Sequence, residues 1–349
     1  MTTPFVSIGV PTYNRVSLLR HTLTSLQRQS FTDFEVLVGN DDVREQLSAA
    51  GLGISDARFS VVNHERNLGE IRNMNALLGL ARGSYFTWQF DDDFYATNFL
   101  AEMHAAITSH RAPPVVFSGF RTHYGLGEPR YRPAVAGDAA VSELDGATFL
   151  ADVFGGRRRA MGACGVYERA YLASIGGIRD ISGEAVGLYS EHLLLLTAGL
   201  GERVVHVNAP LVSYRDQDAS WSGRNLNVEL YVTTGLTLMR ELVRLANQGA
   251  YGRRLGDIAA GVLAMTVDDI VSRMVARDGR VAGPQLAEYV AAVEREFAAI
   301  EPAAARRAVA GAVERVRRRR PAAAIVKGWV KRSPPWVQHV VRGIRARLS

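Results

Sequence analysis

Apolar positions in the first hundred residues switch between short continuous runs and helical spacing. Phe5 to Val10 (FVSIGV) is a β-branched run that stops at Pro11, as a strand buried on both faces does. Asn14 then precedes Val16, Leu18, Leu19, Leu23 and Leu26, an apolar stripe at helical spacing that Ser30 and Phe31 close. A second run, Phe34 to Val38 (FEVLV), halts at Gly39, Asn40, Asp41 and Asp42. Strand, helix and strand in this succession predict a parallel βαβ unit with a right-handed crossover. The pattern recurs as a strand over 59–63, a helix over 70–81, and a strand over 85–90 that runs into Asp91, Asp92 and Asp93.

Further on, the spacing predicts a helix from Asn98 to Ser109, a strand over 114–118, a Gly/Pro-rich loop to Asp138 and a helix over 144–153. Glu191 to Leu200 reads as a strongly apolar helix with Ser190 as its N-cap, followed by strands over 204–207 and 211–214. Beyond Asn225 the texture becomes Ala, Val, Leu and Arg with helical periodicity. A boundary is therefore expected at 223–225, with an α/β domain over 1–224 and an all-helical appendage over 225–349. There is no internal repeat.

The chain has 349 residues, 47% hydrophobic and 22% charged, as expected of a folded protein with a sizeable core. No apolar run approaches the roughly 20 residues that span a bilayer. Residues 1–14 carry neither a basic nor an apolar leader segment, so a cytoplasmic location is expected. The lone Cys164 excludes an internal disulfide, and no Cys/His cluster has zinc spacing. Net charge is +6, but residues 306–349 hold 13 Lys and Arg against one acidic residue, Glu314. The first 305 residues carry 28 basic and 34 acidic side chains. The excess of positive charge thus belongs to a tail.

In open parallel sheets, ligands bind outside the carboxyl ends of the strands. Here three strands end in Pro11-Thr12-Tyr13, Asn40-Asp41-Asp42 and Asp91-Asp92-Asp93. Three adjacent carboxylates repel one another unless a cation is near, and they suit a hard divalent ion shared with phosphates. The same triplet read as a solvated turn, with Asp93 capping the next helix, is the competing structural interpretation.

The segments VSIGVPTYNR (6–15), FTDFEVLVGNDD (31–42), NLGEIRNMNALLGLARGSYFTWQFDDDF (67–94), SIGG (174–177), SEHLLLLTAGLG (190–201) and LVSYRDQDASWS (211–222) resemble, in order and spacing, inverting family 2 glycosyltransferases of GT-A fold. The resemblance implies a Rossmann-like, mostly parallel sheet flanked by helices, with a nucleotide-sugar half (1–110) and an acceptor half (111–224). It implies transfer from a UDP-, dTDP- or GDP-sugar to an acceptor hydroxyl with inversion, and a Mn²⁺ or Mg²⁺ ion held by the aspartates. Pro11 and Tyr13 match the turn against the nucleobase and ribose, and Asp41 matches a base-contacting Asp. Asp42 and Val43 replace the Gly-Ser that usually follows it. Asp92 matches the metal-binding Asp, with Asp91 towards the ribose and Asp93 beside the metal or holding the turn. Arg72, at the start of its helix, is a candidate partner of the diphosphate or a surface residue. Asn75 matches a position that braces this helix.

An inverting transfer needs a base near the acceptor hydroxyl. The family's acidic pair is Glu191-His192 here, so Glu191, favoured as an anion in a helix's first turn, and His192, which titrates near neutrality, are both candidates beside a buried structural pair. Downstream, Arg215 can compensate the leaving diphosphate, and Gln217 replaces a His that would complete a metal shell.

The tail carries Trp336, Val337, Val340, Val341, Ile344 and Leu348 on one helical face between basic residues. It reads as an interfacial helix for an anionic membrane surface, which would place the protein peripherally on the inner membrane face, or as a face packed on the enzyme or on a sister subunit in an oligomer. Nucleic acid is not an expected partner, since no binding motif is present and the body is acidic. The competing functions are a non-catalytic nucleotide-sugar binder, suggested by His192 and Gln217, and a nucleotidyltransferase, disfavoured because Pro11 to Arg15 lacks a Gly-rich phosphate loop.

Overall fold

Every residue of Val6–Thr12 is buried, and this run forms β1, the strand on which the first half of the sheet is built. β2 (Phe34–Asn40), also fully buried, pairs with it in parallel from Val6↔Phe34 to Thr12↔Asn40. β4 (Tyr85–Trp88) pairs on its other side, again in parallel. Burial on both faces is why these strands read as continuous apolar runs. The computed structural model describes residues 3–124, 141–201, 203–216, 224–301 and 303–318. The sheet order is β3-β2-β1-β4-β8-β6-β9-β5, where β3 is Phe59–Asn63, β5 Phe94–Tyr95, β6 Val115–Tyr124, β8 Gly165–Glu168 and β9 Val204–Asp216. β7 (Val141–Leu144) pairs antiparallel with β9. β8 runs antiparallel between β4 and β6, and β6 and β9 are parallel.

The expected α/β class with a mostly parallel sheet is observed. The strands expected separately over 204–207 and 211–214 are one strand, β9, whose pairing with β6 shifts at Ser118, Gly119 and Phe120. Pro210 sits at that irregularity, where a missing N–H is tolerated. β5, β7 and β8, of two to four residues, are too short to leave a periodic signature.

Helix α1 (Val16–Gln27) buries Leu19, Leu23 and Leu26, and α2 (Glu70–Leu80) buries Ile71, Met74 and Leu77. α2 lies against strand glycines: a Cβ on Gly39 would collide with the Asn73 side chain, and Asn73 Nδ2 donates to Gly39 O at 2.8 Å. Asn75 braces the helix as expected, its amide exchanging bonds of 2.7 and 3.2 Å with the backbone of Ile178. α3 (Phe99–Ser109) follows β5, and α5 (Arg169–Ser174) follows β8. α6 (Ser190–Ala198) buries Leu193 to Leu196. Its N-cap is Tyr189, in a left-handed conformation at φ 60°, and not Ser190, whose buried Oγ has no hydrogen-bond partner among the described residues.

The chain forms two compact units. Residues 1–145 and 159–216 make the sheet unit. Residues 146–158 and 217–349 make the helical unit, which therefore includes α4 (Gly146–Phe154), a helix read from the sequence as part of the α/β domain. Within the helical unit, α7 (Val228–Asn247), α8 (Leu255–Asp278), α9 (Gly283–Phe297) and α10 (Ala303–Arg318) bury Leu238, Met239, Leu242, Ile258, Val262, Ile270 and Met274. Its buried Arg273 donates to the Tyr231 hydroxyl at 2.7 Å and pairs with Asp269 at 3.2 Å. Among the described residues, no helix is long and apolar enough to cross a membrane. The basic amphipathic stretch beyond Ala322 lies outside the described residues.

Candidate active site

Parallel pairing brings the carboxyl ends of β1, β2 and β4 to one sheet edge, and the acidic triplet follows β4 directly. Thr12 Oγ1 donates to Asp91 Oδ2 at 2.7 Å. After a left-handed Asn14 (φ 53°), Arg15 turns back so that Nη1 meets Asp91 at 3.2 Å and Asp92 at 3.3 Å. Burial pushes the Asp91 carboxyl up to about 7, with Arg15 opposing and Asp92 adding to the shift. Asp93 is also buried. Its Oδ1 accepts the backbone N–H of Arg215 at 2.7 Å, and burial, reinforced by Asp92, raises its pKa well above the carboxylate range.

The three aspartates therefore differ in surroundings. Asp91 is held by Thr12 and Arg15, and Asp93 by β9. Asp92 keeps the most open side chain of the Arg15-bonded pair, 13% exposed against 7%. Among the described residues no group of three His, Cys, Asp or Glu forms a ready metal cluster. The set still fits a hard cation bound by one carboxylate and a ligand's phosphates, the usual mode for Mg²⁺. Asp92, the more open carboxylate, would be the one available to such an ion, whereas Asp93 accepts the backbone N–H of Arg215.

Arg215 itself is buried. Its Nε donates to Asp92 O at 2.8 Å and its guanidinium lies 4.9 Å from the Phe94 ring centre. Burial lowers its pKa, and Asp92 and Asp93 counter that. Asp41 is buried as well, with Oδ1 accepting Leu68 N at 2.6 Å and Oδ2 accepting Gly69 N at 2.8 Å. It thus holds the turn that opens α2. Pro11 is buried at the end of β1, opposite Gly39. Tyr13 is 49% exposed, with the Arg44 guanidinium 5.8 Å from its ring centre, while Arg44 also chelates Asp42 at 2.8 Å. Arg72 is exposed on the first turn of α2 and makes no ion pair among the described residues. Gln217 lies outside the described residues.

Glu191, in the first turn of α6, accepts the backbone N–H of Ala163 at 2.8 Å. Burial raises its pKa to about 7, against that hydrogen bond and with Glu70 adding to the rise. His192 packs edge-on against Tyr189. Glu70, unassigned from the sequence, opens α2, accepts Gly187 N at 2.9 Å, and has its pKa raised by burial in the field of Arg15, Asp92 and Asp180. Thr12, Arg15 and Glu70 are thus the additional polar members of this site. Their signal was position alone: Thr12 and Arg15 border a strand end, and Glu70 follows Gly69 at a helix start.

Residues 7–175 match the family model described as glycosyl transferase family 2. Just under half of the chain is thus similar to glycosyl transferase family 2. Over 95 residues it is 28% identical to the UDP-Glc:alpha-D-GlcNAc-diphosphoundecaprenol beta-1,3-glucosyltransferase WfgD of Escherichia coli, covering 27% of this chain and 38% of that protein. Over 93 residues it is 33% identical to the GalNAc(5)-diNAcBac-PP-undecaprenol beta-1,3-glucosyltransferase of Campylobacter jejuni, covering 26% of this chain and 30% of that one. The chain spans less than half the length of the curated relatives that it matches. The crystal structure of Staphylococcus aureus TarS 1-349 in complex with UDP-GlcNAc superposes with a TM-score of 0.60 over 89% of this chain and 90% of that one, at 16% identity. That likeness shows that the chain shares the GT-A-like fold of TarS.

Proposed function

We propose that the protein is a metal-assisted, inverting glycosyltransferase that moves a sugar from a nucleotide-sugar to a hydroxyl of a lipid-linked or polymeric glycan. The observation that carries the reading is Glu191. A partly desolvated carboxyl with a pKa of about 7 stands in the same electrostatic neighbourhood as the aspartate triplet, as a general base working near neutrality requires. Glu191 takes the proton of the acceptor hydroxyl as that oxygen bonds to the anomeric carbon. The bond from that carbon to the diphosphate oxygen breaks on the opposite face, and a nucleoside diphosphate leaves. Tyr13 supplies an exposed ring for a nucleobase, and Arg15 and Arg215 supply positive charge beside the triplet. Asp92 would hold Mn²⁺ or Mg²⁺, whose charge would stabilise the departing diphosphate.

Support for a nucleotide-sugar comes from the matching UDP-GlcNAc complex of TarS, and for a lipid-linked acceptor from the names of the two undecaprenol-using relatives. The test is release of nucleoside diphosphate from a panel of UDP-, dTDP- and GDP-sugars, with and without Mn²⁺, and the anomeric configuration of the product by NMR. Retention of configuration, or no release from any donor, would defeat the proposal.

A further inference from the structure

Directly after β4, Gln89 lines a small recess and carries a buried amide that lacks a hydrogen-bond partner among the described residues. Gln89 is 1% exposed, and its backbone N–H is used, donating to Gly9 O at 2.9 Å. Among the described residues, neither its Nε2 nor its Oε1 has a hydrogen-bond partner. Buried carboxamides are seldom left in that state, because their desolvation is uncompensated. Gln89 lines the recess together with Phe90, Asp93, Ala163, Cys164 and Tyr214, and the space suits a group about the size of one water molecule. Two of its polar neighbours are engaged: Asp93 accepts from Arg215, and the Tyr95 hydroxyl donates to Trp88 O at 3.0 Å. Ala163, on the same wall, is the residue whose N–H holds Glu191.

We propose that Gln89 determines specificity by bonding a hydroxyl of the transferred sugar. This rests on the glycosyl-transfer reading above and extends it to the sugar. A carboxamide offers a donor and an acceptor side by side, and a sugar hydroxyl is both acceptor and donor, so Nε2–H and Oε1 are both satisfied. Phosphate and carboxylate oxygens only accept, and would leave Oε1 unmet. Asp93 and Ala163, whose N–H holds Glu191, both line the recess, so a single sugar hydroxyl reaching into it would stand near both the triplet and the proposed base.

The experiment compares wild type with Gln89→Leu and Gln89→Met in the full chain. UDP, dTDP and GDP binding is followed by calorimetry, kcat/KM is measured over the matching glucose, galactose and N-acetylhexosamine donors, and melting temperature is recorded. The expected result is nucleotide affinity within about twofold of wild type, a fall of about tenfold or more in kcat/KM for the preferred donor, collapsed discrimination between epimers, and an undiminished melting temperature. Unchanged preference among the sugars overturns the proposal alone and assigns the recess to an ordered water. Misfolding of both variants overturns it in favour of a structural amide. A wild type that binds no nucleotide overturns the glycosyl-transfer reading and this inference together.

Discussion

Arg15 Nη1 donates to Asp92 Oδ2 at 3.3 Å, so the carboxylate assigned to a divalent ion already has a cation of the protein beside it. The same nitrogen reaches Asp91, and the guanidinium is one-third exposed, at 35%. Arg15 thereby lowers the repulsion among Asp91, Asp92 and Glu70 in the absence of ligand.

Arg15→Gln should destabilise the nucleotide-free protein by about 1–2 kcal/mol. That is below the loss for a fully buried pair, because solvent screens the exposed part of the guanidinium. Mn²⁺ or Mg²⁺ should then raise the melting temperature of the variant more than that of wild type. An identical response of both proteins to metal would separate Arg15 from the cation site.

Asp92→Ala should abolish the difference between nucleotide affinities measured with Mn²⁺ and with EDTA. In wild type, metal should tighten binding, since clustered carboxylates otherwise repel the diphosphate. Titration calorimetry reads both. Equal wild-type affinities in the two conditions would remove the metal from the account.

Asp41→Ala should cost about 2 kcal/mol of stability, because Leu68 and Gly69 lose the acceptors of their N–H groups at the start of α2. Chemical denaturation measures it. Asp41→Asn retains one acceptor oxygen and should fall between the two proteins.

Stability should also depend on pH in a window set by the raised carboxyls. Asp91 and Glu191, each at about 7, have folded pKa values above those of an unfolded chain. Their protonated forms are favoured by folding, so their contribution is complete below about pH 4 and is lost as pH rises through about 7. Melting temperature should fall between about pH 4 and 7, and Glu191→Gln should flatten part of that slope. The lowered groups, such as Glu35 beneath Ser7 and Arg82, act in the opposite sense, and only as pH falls into the carboxylate range.

The parallel half of the sheet was legible because β1, β2 and β4 are buried on both faces and end in polar residues. The triplet's location followed from that alone. What the sequence concealed depended on tertiary placement. β5 and β8 pair through a few residues each, and β9 passes through Pro210 where two strands had been expected. The left-handed Tyr189 at the start of α6 displaced the cap expected of Ser190. Arg15 could not be paired with Asp92, 77 residues away, from spacing, and Gln89 between Trp88 and Phe90 reads as an ordinary strand residue until its missing partners are seen.

Whether Glu191 is the base of a glycosyl transfer is decided by the pH dependence of nucleoside diphosphate release by wild type and Glu191→Gln. Wild-type turnover should rise with pH through about 7 as Glu191 ionises. Glu191→Gln should lose about 10²–10⁴-fold in turnover at near-wild-type donor affinity and lose that limb, while His192→Asn retains both. A Glu191→Gln enzyme with wild-type turnover and an intact limb, or a His192→Asn enzyme without activity, would contradict it.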